Sequence, residues 1–279
     1  MPSKKTSRRK QSHNSATVAA AKVLGVVLVV TMVLVFMLRR PLIRFVSNAR
    51  WLQRGATVVW SKLPSDKRNI QLLKTHSGLP VGIDISHYQR DIVWKDVTTV
   101  YDSFPVSFVV VRATMGVKGK DKKFQENWEA IKNIKKVRGA YHYYRPDEYS
   151  GDQAQNYIKS VSLGNGDLPP ILDIEDLSNV QTIDRLKTGL QNWLNIVEAH
   201  YGVRPIIYSG NHYFDNYLAN HFSTYPVWVA NYNHHINKPQ KEWRFWQFTE
   251  KGFVRGINGA VDINLFNGTM EQLYDLRIK

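Results

Sequence analysis

From residue 81 onward, short apolar runs alternate with longer stretches in which apolar positions recur at helical spacing. The runs at 81–86, 108–114, 138–144, 170–175, 204–209, 226–232, 243–249 and 260–266 have the length and the β-branched or aromatic content of strands. Between them, 122–136, 151–163 and 183–201 carry apolar residues every three or four positions and predict helices, with shorter ones over 93–100 and 211–219. Eight strands with mostly helical crossovers predict an irregular (β/α) TIM-like barrel of eight strands and about five helices. The last connections are too short for full helices, so the barrel should be irregular there. A doubly wound open sheet is the alternative, but no Gly-rich dinucleotide turn follows the first strand.

The first eighty residues follow a different pattern. Residues 16–38, "ATVAAAKVLGVVLVVTMVLVFML", hold one charge, Lys22, near enough to an end to snorkel. About 20 apolar residues span a bilayer as a helix. No small-residue cleavage site follows, and "RRPLIR" reads as a stop, so an uncleaved signal anchor is expected over a removed signal peptide. This divides the chain into a basic cytoplasmic tail (1–15), a transmembrane anchor (16–38), a juxtamembrane linker (39–80) and a barrel (81–279). The linker carries Trp51, Trp60 and spaced basic residues, a pattern fitting either an interfacial helix or an irregular spacer. Basic residues flank the anchor almost equally, so its orientation follows from the function and not from charge.

Charge changes the picture only once it is located. The net +15 falls almost wholly in residues 1–80, which hold 15 Lys and Arg against one acid, Asp66. The rest of the chain carries 23 basic and 22 acidic residues, so a nucleic-acid partner loses its support. Cysteine is absent, which excludes disulfides, thiolate metal sites and a Cys nucleophile.

The chemistry lies in the acids. In "PPILDIEDL" (169–177), Asp173 and Glu175 share one face of a strand and Leu172 and Ile174 the other. Buried carboxylates are costly unless paired, hydrogen-bonded or protonated. Barrel chemistry sits at the C-terminal ends of strands. There Asp84 of the first strand and Asp262 of the eighth should meet across the barrel's closure, facing Asp173 and Glu175 of the fourth. One such acid is ordinarily a cap or ion-pair partner; four converging on one cavity point to a site. Tyr141, Tyr143, Trp228 and Trp246, with Gln247 beside it, are candidate substrate contacts, since aromatic faces suit sugar rings. Paired carboxylates in an aromatic cleft point to glycoside hydrolysis. No His, Asp and Glu cluster has metal-ligand spacing, Ser86 and Ser209 have no nucleophile elbow, and His234 and His235 read as an exposed loop pair. No cofactor is expected.

"GIDISHYQ", "KKFQENWEAIKNIKKVRGAYHYYRP", "PPILDIED" and "WQFTEKGFVRGINGAVDINLFNG" occur in this order in family 25 glycoside hydrolases, and the chain resembles that family over residues 81–268. The resemblance implies an irregular eight-stranded β/α barrel. It implies a lysozyme that cuts the β-1,4 bond between N-acetylmuramic acid and N-acetylglucosamine in peptidoglycan. Glu175 would be the general acid/base, Asp173 its helper as nucleophile or as orienter of the substrate's N-acetyl group, and Asp84 and Asp262 the acidic floor. Peptidoglycan strands would be the partner, with the barrel outside the plasma membrane. A catalytically dead glycan-binding tether and a hydrolase of another N-acetylhexosamine polymer are the alternatives. Two positions depart from the family: Arg90 replaces a usual Gly, and Met115 a usual Glu or Gln.

Overall fold

The computed structural model describes residues 64–279 apart from 234–237 and 240–241. The expected membrane span, the linker up to residue 63 and His234–His235 lie outside the described residues. Among the described residues, no helix is long and apolar enough to cross a membrane.

Eight strands close into a barrel. β1 (Val81–Ile85) pairs in parallel with β3 (Phe104–Met115), and the parallel order continues through β5 (Val137–Tyr143), β6 (Ile171–Asp173), β7 (Ile206–Gly210), β8 (Val227–Ala230) and β9 (Phe245–Gly252). β10 (Val261–Phe266) then runs antiparallel to both β9 and β1, closing the cylinder. Two small strands, β2 (Thr99–Val100) and β4 (Gly119–Lys120), add to β3 from outside the circle. The reversal of β10 is the irregularity the short final connections predicted. The chain leaves β10 at the end where the parallel strands begin, and Ile278 exchanges backbone hydrogen bonds with Gly166 and Asp167 just upstream of β6.

Alternation along each strand sorts the core into two layers. Phe108, Val110, Ile171, Ile206, Trp228, Phe245 and Phe266 fill the barrel interior. Val109, Val111, Ile83, Leu172, Ile207 and Ile263 point outward beneath the helices. Gly82 faces inward, and its missing side chain makes room for Phe108: a Cβ there would lie 2.2 Å from that ring. Helices α2 (Phe124–Asn133) and α4 (Ile183–Tyr201) lie within their predicted segments, and α3 (Ser150–Ser160) begins one residue before its own. In α4, Leu186, Leu190, Trp193, Leu194 and Val197 form a buried stripe, Thr182 caps the start, and Gly202 in the left-handed region ends it.

Two local expectations change. Residues 93–100, read as a helix, form one 3-10 turn (Trp94–Asp96) and β2, because only a few residues separate the turn from the ladder with β3. Residues 211–222 are helical but interrupted by a π turn over Phe214–Leu218. Upstream, α1 (Pro64–Thr75) occupies part of the stretch read as linker. Its Leu72 and Leu73 are buried, and Arg68 and Asn69 bond the Phe248 carbonyl and the Thr249 hydroxyl of β9. The packed unit therefore extends upstream of residue 81.

Candidate active site

All four acids reach the same mouth, where the parallel strands end and β10 begins. Asp84 and Asp262 are direct partners across the β1–β10 ladder, and their carboxyls share a hydrogen bond. Asp173 is the last residue of β6, and Glu175 projects just beyond it. Asp173 and Glu175 also share a hydrogen bond, and one oxygen of Asp173, Oδ1, is buried with no partner.

Asp84 is held by an amide cradle. Asn264 Nδ2 and Gln247 Nε2 donate to its Oδ2 at 2.7 and 2.9 Å. Each amide is oriented in turn. The Trp228 indole N–H donates to Asn264 Oδ1, and the Tyr208 and Tyr232 hydroxyls donate to Gln247 Oε1. Tyr208 and Trp228, packed edge to face, line a small cavity with Tyr141, Ile171 and Asp173 beneath the mouth.

The carboxyls titrate far from their ordinary range because they are dehydrated together. Burial raises Asp84, against the pull of its hydrogen bonds to Asn264 and Gln247. Asp262 is pushed up to about 9 by burial, then by the charge of Asp84. Asp173 lies well above the carboxylate range through burial and repulsion from Glu175 and Asp84, with Arg112 pulling the other way. The Glu175 side chain is exposed, yet desolvation of its carboxyl by the surrounding protein raises it; Asp176 and Asp84 add repulsion, while the hydrogen bond with Asp173 opposes them. Clustered, raised carboxyls can keep a proton at neutral pH and donate it, which is what acid catalysis needs. Among the described residues, no group of three or more Asp, Glu or His side chains is arranged to hold a metal ion.

The aromatic expectations divide. Tyr141 stands among the acids, its phenol raised by burial and by Asp84 and Asp173. Tyr143 is at the rim, but its hydroxyl is committed to Asp176 Oδ2 at 2.7 Å. Trp228 and Gln247 are 2% exposed and serve the acids from below. Trp246 requires a correction: it points out of the barrel and is fully buried. Its indole N–H donates to the Asn231 carbonyl, and its ring packs on Trp243 and Phe248. It cannot touch a ligand in the mouth.

Residues not singled out from the sequence complete the site. Arg112, facing inward from β3, binds Asp121 at 3.2 Å, with its guanidinium 5.1 Å from the centre of the exposed Tyr88 ring. Asn264 and Tyr208 were legible only as strand positions; their contacts to Asp84 and Gln247 join residues 180 and 39 apart. Of the two unusual positions, Arg90 adopts φ 56°, ψ −134°, where a Cβ is strained and glycine is favoured. Met115 meets the Arg145 guanidinium at 3.5 Å through its sulfur.

Three comparisons bear on this geometry. The family model described as "Glycosyl hydrolases family 25" matches residues 83–257. "Lysozyme M1" of Streptomyces globisporus is 33% identical over 215 residues, covering 70% of each chain. "Uncharacterized protein YegX" of Escherichia coli K12 is 39% identical over 196 residues, covering 69% of this chain and 71% of its own. Among solved structures, the bacterial lysozyme from Streptomyces coelicolor superposes with a TM-score of 0.65 at 28% identity, over 72% of this chain and 98% of that one.

Proposed function

The chain belongs to glycosyl hydrolases family 25 and is a glycoside hydrolase of the lysozyme type, and from that premise we propose that it cleaves the β-1,4 bond between N-acetylmuramic acid and N-acetylglucosamine in peptidoglycan. The observation that carries the site assignment is the convergence of Asp84, Asp173, Glu175 and Asp262 at one mouth, each with its carboxyl raised.

On this reading Glu175, the most accessible of the four, is the general acid. It gives its proton to the glycosidic oxygen as the bond to the anomeric carbon breaks. Asp173 is a poor nucleophile while burial and its acidic neighbours keep it protonated. Its unpartnered Oδ1 is instead an acceptor for an amide N–H. That favours the substrate's own N-acetyl oxygen as the attacking group, with Asp173 orienting the amide. Water then opens the resulting oxazolinium ring, and Glu175, now ionised, takes the proton from it. Asp84 and Asp262 share a proton beneath, limiting the negative charge near Glu175.

The test is digestion of purified peptidoglycan and of chitin, in parallel, by the full chain, with new reducing ends identified. N-acetylmuramic acid ends from peptidoglycan are expected. N-acetylglucosamine ends, or faster cleavage of chitin, would overturn the bond assignment. Retention on glycan with no new ends would make the barrel a binding module instead.

The substrate lies outside the cytoplasm, so residues 16–38 are proposed to anchor the chain in the plasma membrane with residues 1–15 inside and the barrel outside. A reporter fused after Lys279 that works only beyond the membrane should then be active. Activity confined to a cytoplasm-dependent reporter would reverse the orientation.

A further inference from the structure

Glu175 stands where the sheet no longer supports it. β6 ends at Asp173, and the last backbone tie runs from Ile174 N–H to the Tyr208 carbonyl, 3.0 Å away. Glu175, Asp176 and Leu177 are then all exposed. The chain is next pinned at Ser178, whose hydroxyl donates to Asp147 of the loop after β5.

Between those points, Asp176 is gripped twice. The Tyr143 hydroxyl, at the end of β5, donates to its carboxylate at 2.7 Å. The Tyr213 hydroxyl, on the helical segment after β7, donates to its backbone carbonyl at 2.8 Å. β5 and β7 are the two neighbours of β6, so the grips arrive from opposite sides. Tyr213 is steadied in turn by an edge contact with Tyr217, with ring centres 5.3 Å apart. A surface carboxylate usually dissolves its charge in water; this one is tied, side chain and backbone, beside the residue that must be placed most accurately.

We propose that Asp176, clamped between Tyr143 and Tyr213, is a positioning residue that fixes Glu175 against the scissile bond. The proposal rests on Glu175 as general acid. Rotation of the backbone at 176 swings Glu175, and small misplacements of a catalytic group cost large factors in rate. The clamp also keeps a negative charge next to Glu175, joining the Asp84, Asp173 and Asp262 carboxyls and the Tyr143, Tyr208 and Tyr232 phenols that face it.

The experiment compares kcat, KM and the pH dependence of kcat/KM on peptidoglycan for the full chain and for Asp176→Ala, Tyr213→Phe and Glu175→Gln. Asp176→Ala, which removes the acceptor that Tyr143 holds, should lower kcat about 10-fold or more, leave KM within about twofold, and move the alkaline limb to lower pH, since a charge that raised Glu175 is gone. Tyr213→Phe, which loses one hydroxyl, should lower kcat several-fold without moving that limb, and serves if Asp176→Ala fails to fold. Unchanged kcat and pH profile in folded Asp176→Ala, or unchanged kcat in Tyr213→Phe, would overturn the clamp. An active Glu175→Gln would instead overturn the reading beneath it.

Discussion

Glu175→Gln is expected to lower kcat on peptidoglycan by about 10³-fold, within the 10²–10⁴ that a positioned general acid supplies. KM should change by no more than a few-fold. Glutamine keeps the shape and the polar tip but has no proton to give the leaving oxygen. The side chain is open to solvent, so the change removes no core packing, and it relieves repulsion with Asp176 and Asp84. Thermal stability should therefore hold or rise slightly. In the parent, the raised Glu175 carboxyl keeps its proton to higher pH than an ordinary glutamate, and kcat/KM should fall on the alkaline side as that proton is lost. Initial rates of reducing-end release across pH 4–9 read both effects. A variant retaining more than a tenth of the parent's kcat would remove Glu175 from the chemistry.

The second large effect is on stability and runs opposite to activity. Burial and the charge of Asp84 push the Asp262 carboxyl up to about 9 in the folded chain, against about 3.9 for an exposed aspartate. Between those values the folded state holds a proton that the unfolded chain has released, so unfolding becomes easier as pH rises. The stabilising contribution is fully present below about pH 4 and is lost progressively up to about pH 9. Asp262 shares its hydrogen bond with Asp84, so the titration belongs to the pair. Asp262→Asn removes the ionisation. Its melting temperature should exceed the parent's by about 4 °C or more at pH 8 and nearly match it at pH 4, while hydrolysis weakens. Thermal unfolding of parent and variant over that range gives the difference for the Asp84–Asp262 pair, because carboxyls that do not interact with the pair cancel. A difference that does not grow with pH would mean that Asp262 is not held protonated. Such a trade of stability for activity is common where a site needs dehydrated charge.

The sequence made the barrel readable because its strands are short, near-continuous apolar runs, buried on both faces and separated by helical patterns, and the acids interrupt those runs at strand ends. Asp84, Asp173, Glu175 and Asp262 were legible for that reason, and the structure brings them together. Trp246 and Gln247 show where such reading fails. Adjacent strand residues face opposite ways, so both could not line one cavity; β9 carries large aromatic residues on each face, which hides the phase. The hydrogen bonds to Asp84 fix it, placing Gln247 inside and Trp246 out. The amide cradle itself left no local signal. Asn264 and Gln247 acquire their roles only when the two ends of the chain meet at the closure of the barrel. Residues 93–100 misled because a 3-10 turn followed by a two-residue strand imitates helical spacing over so short a span.

The reversed closing strand separates traffic on the two ends of the cylinder. Because β10 descends from the mouth, the chain leaves it at the opposite end, with Ile278 tied beside Asp167. A partner, label or additional module joined at Lys279 would hang from that end of the barrel, leaving the end that carries the acids unobstructed. The same reversal that delivers Asp262 to the acids thus carries whatever follows β10 away from them.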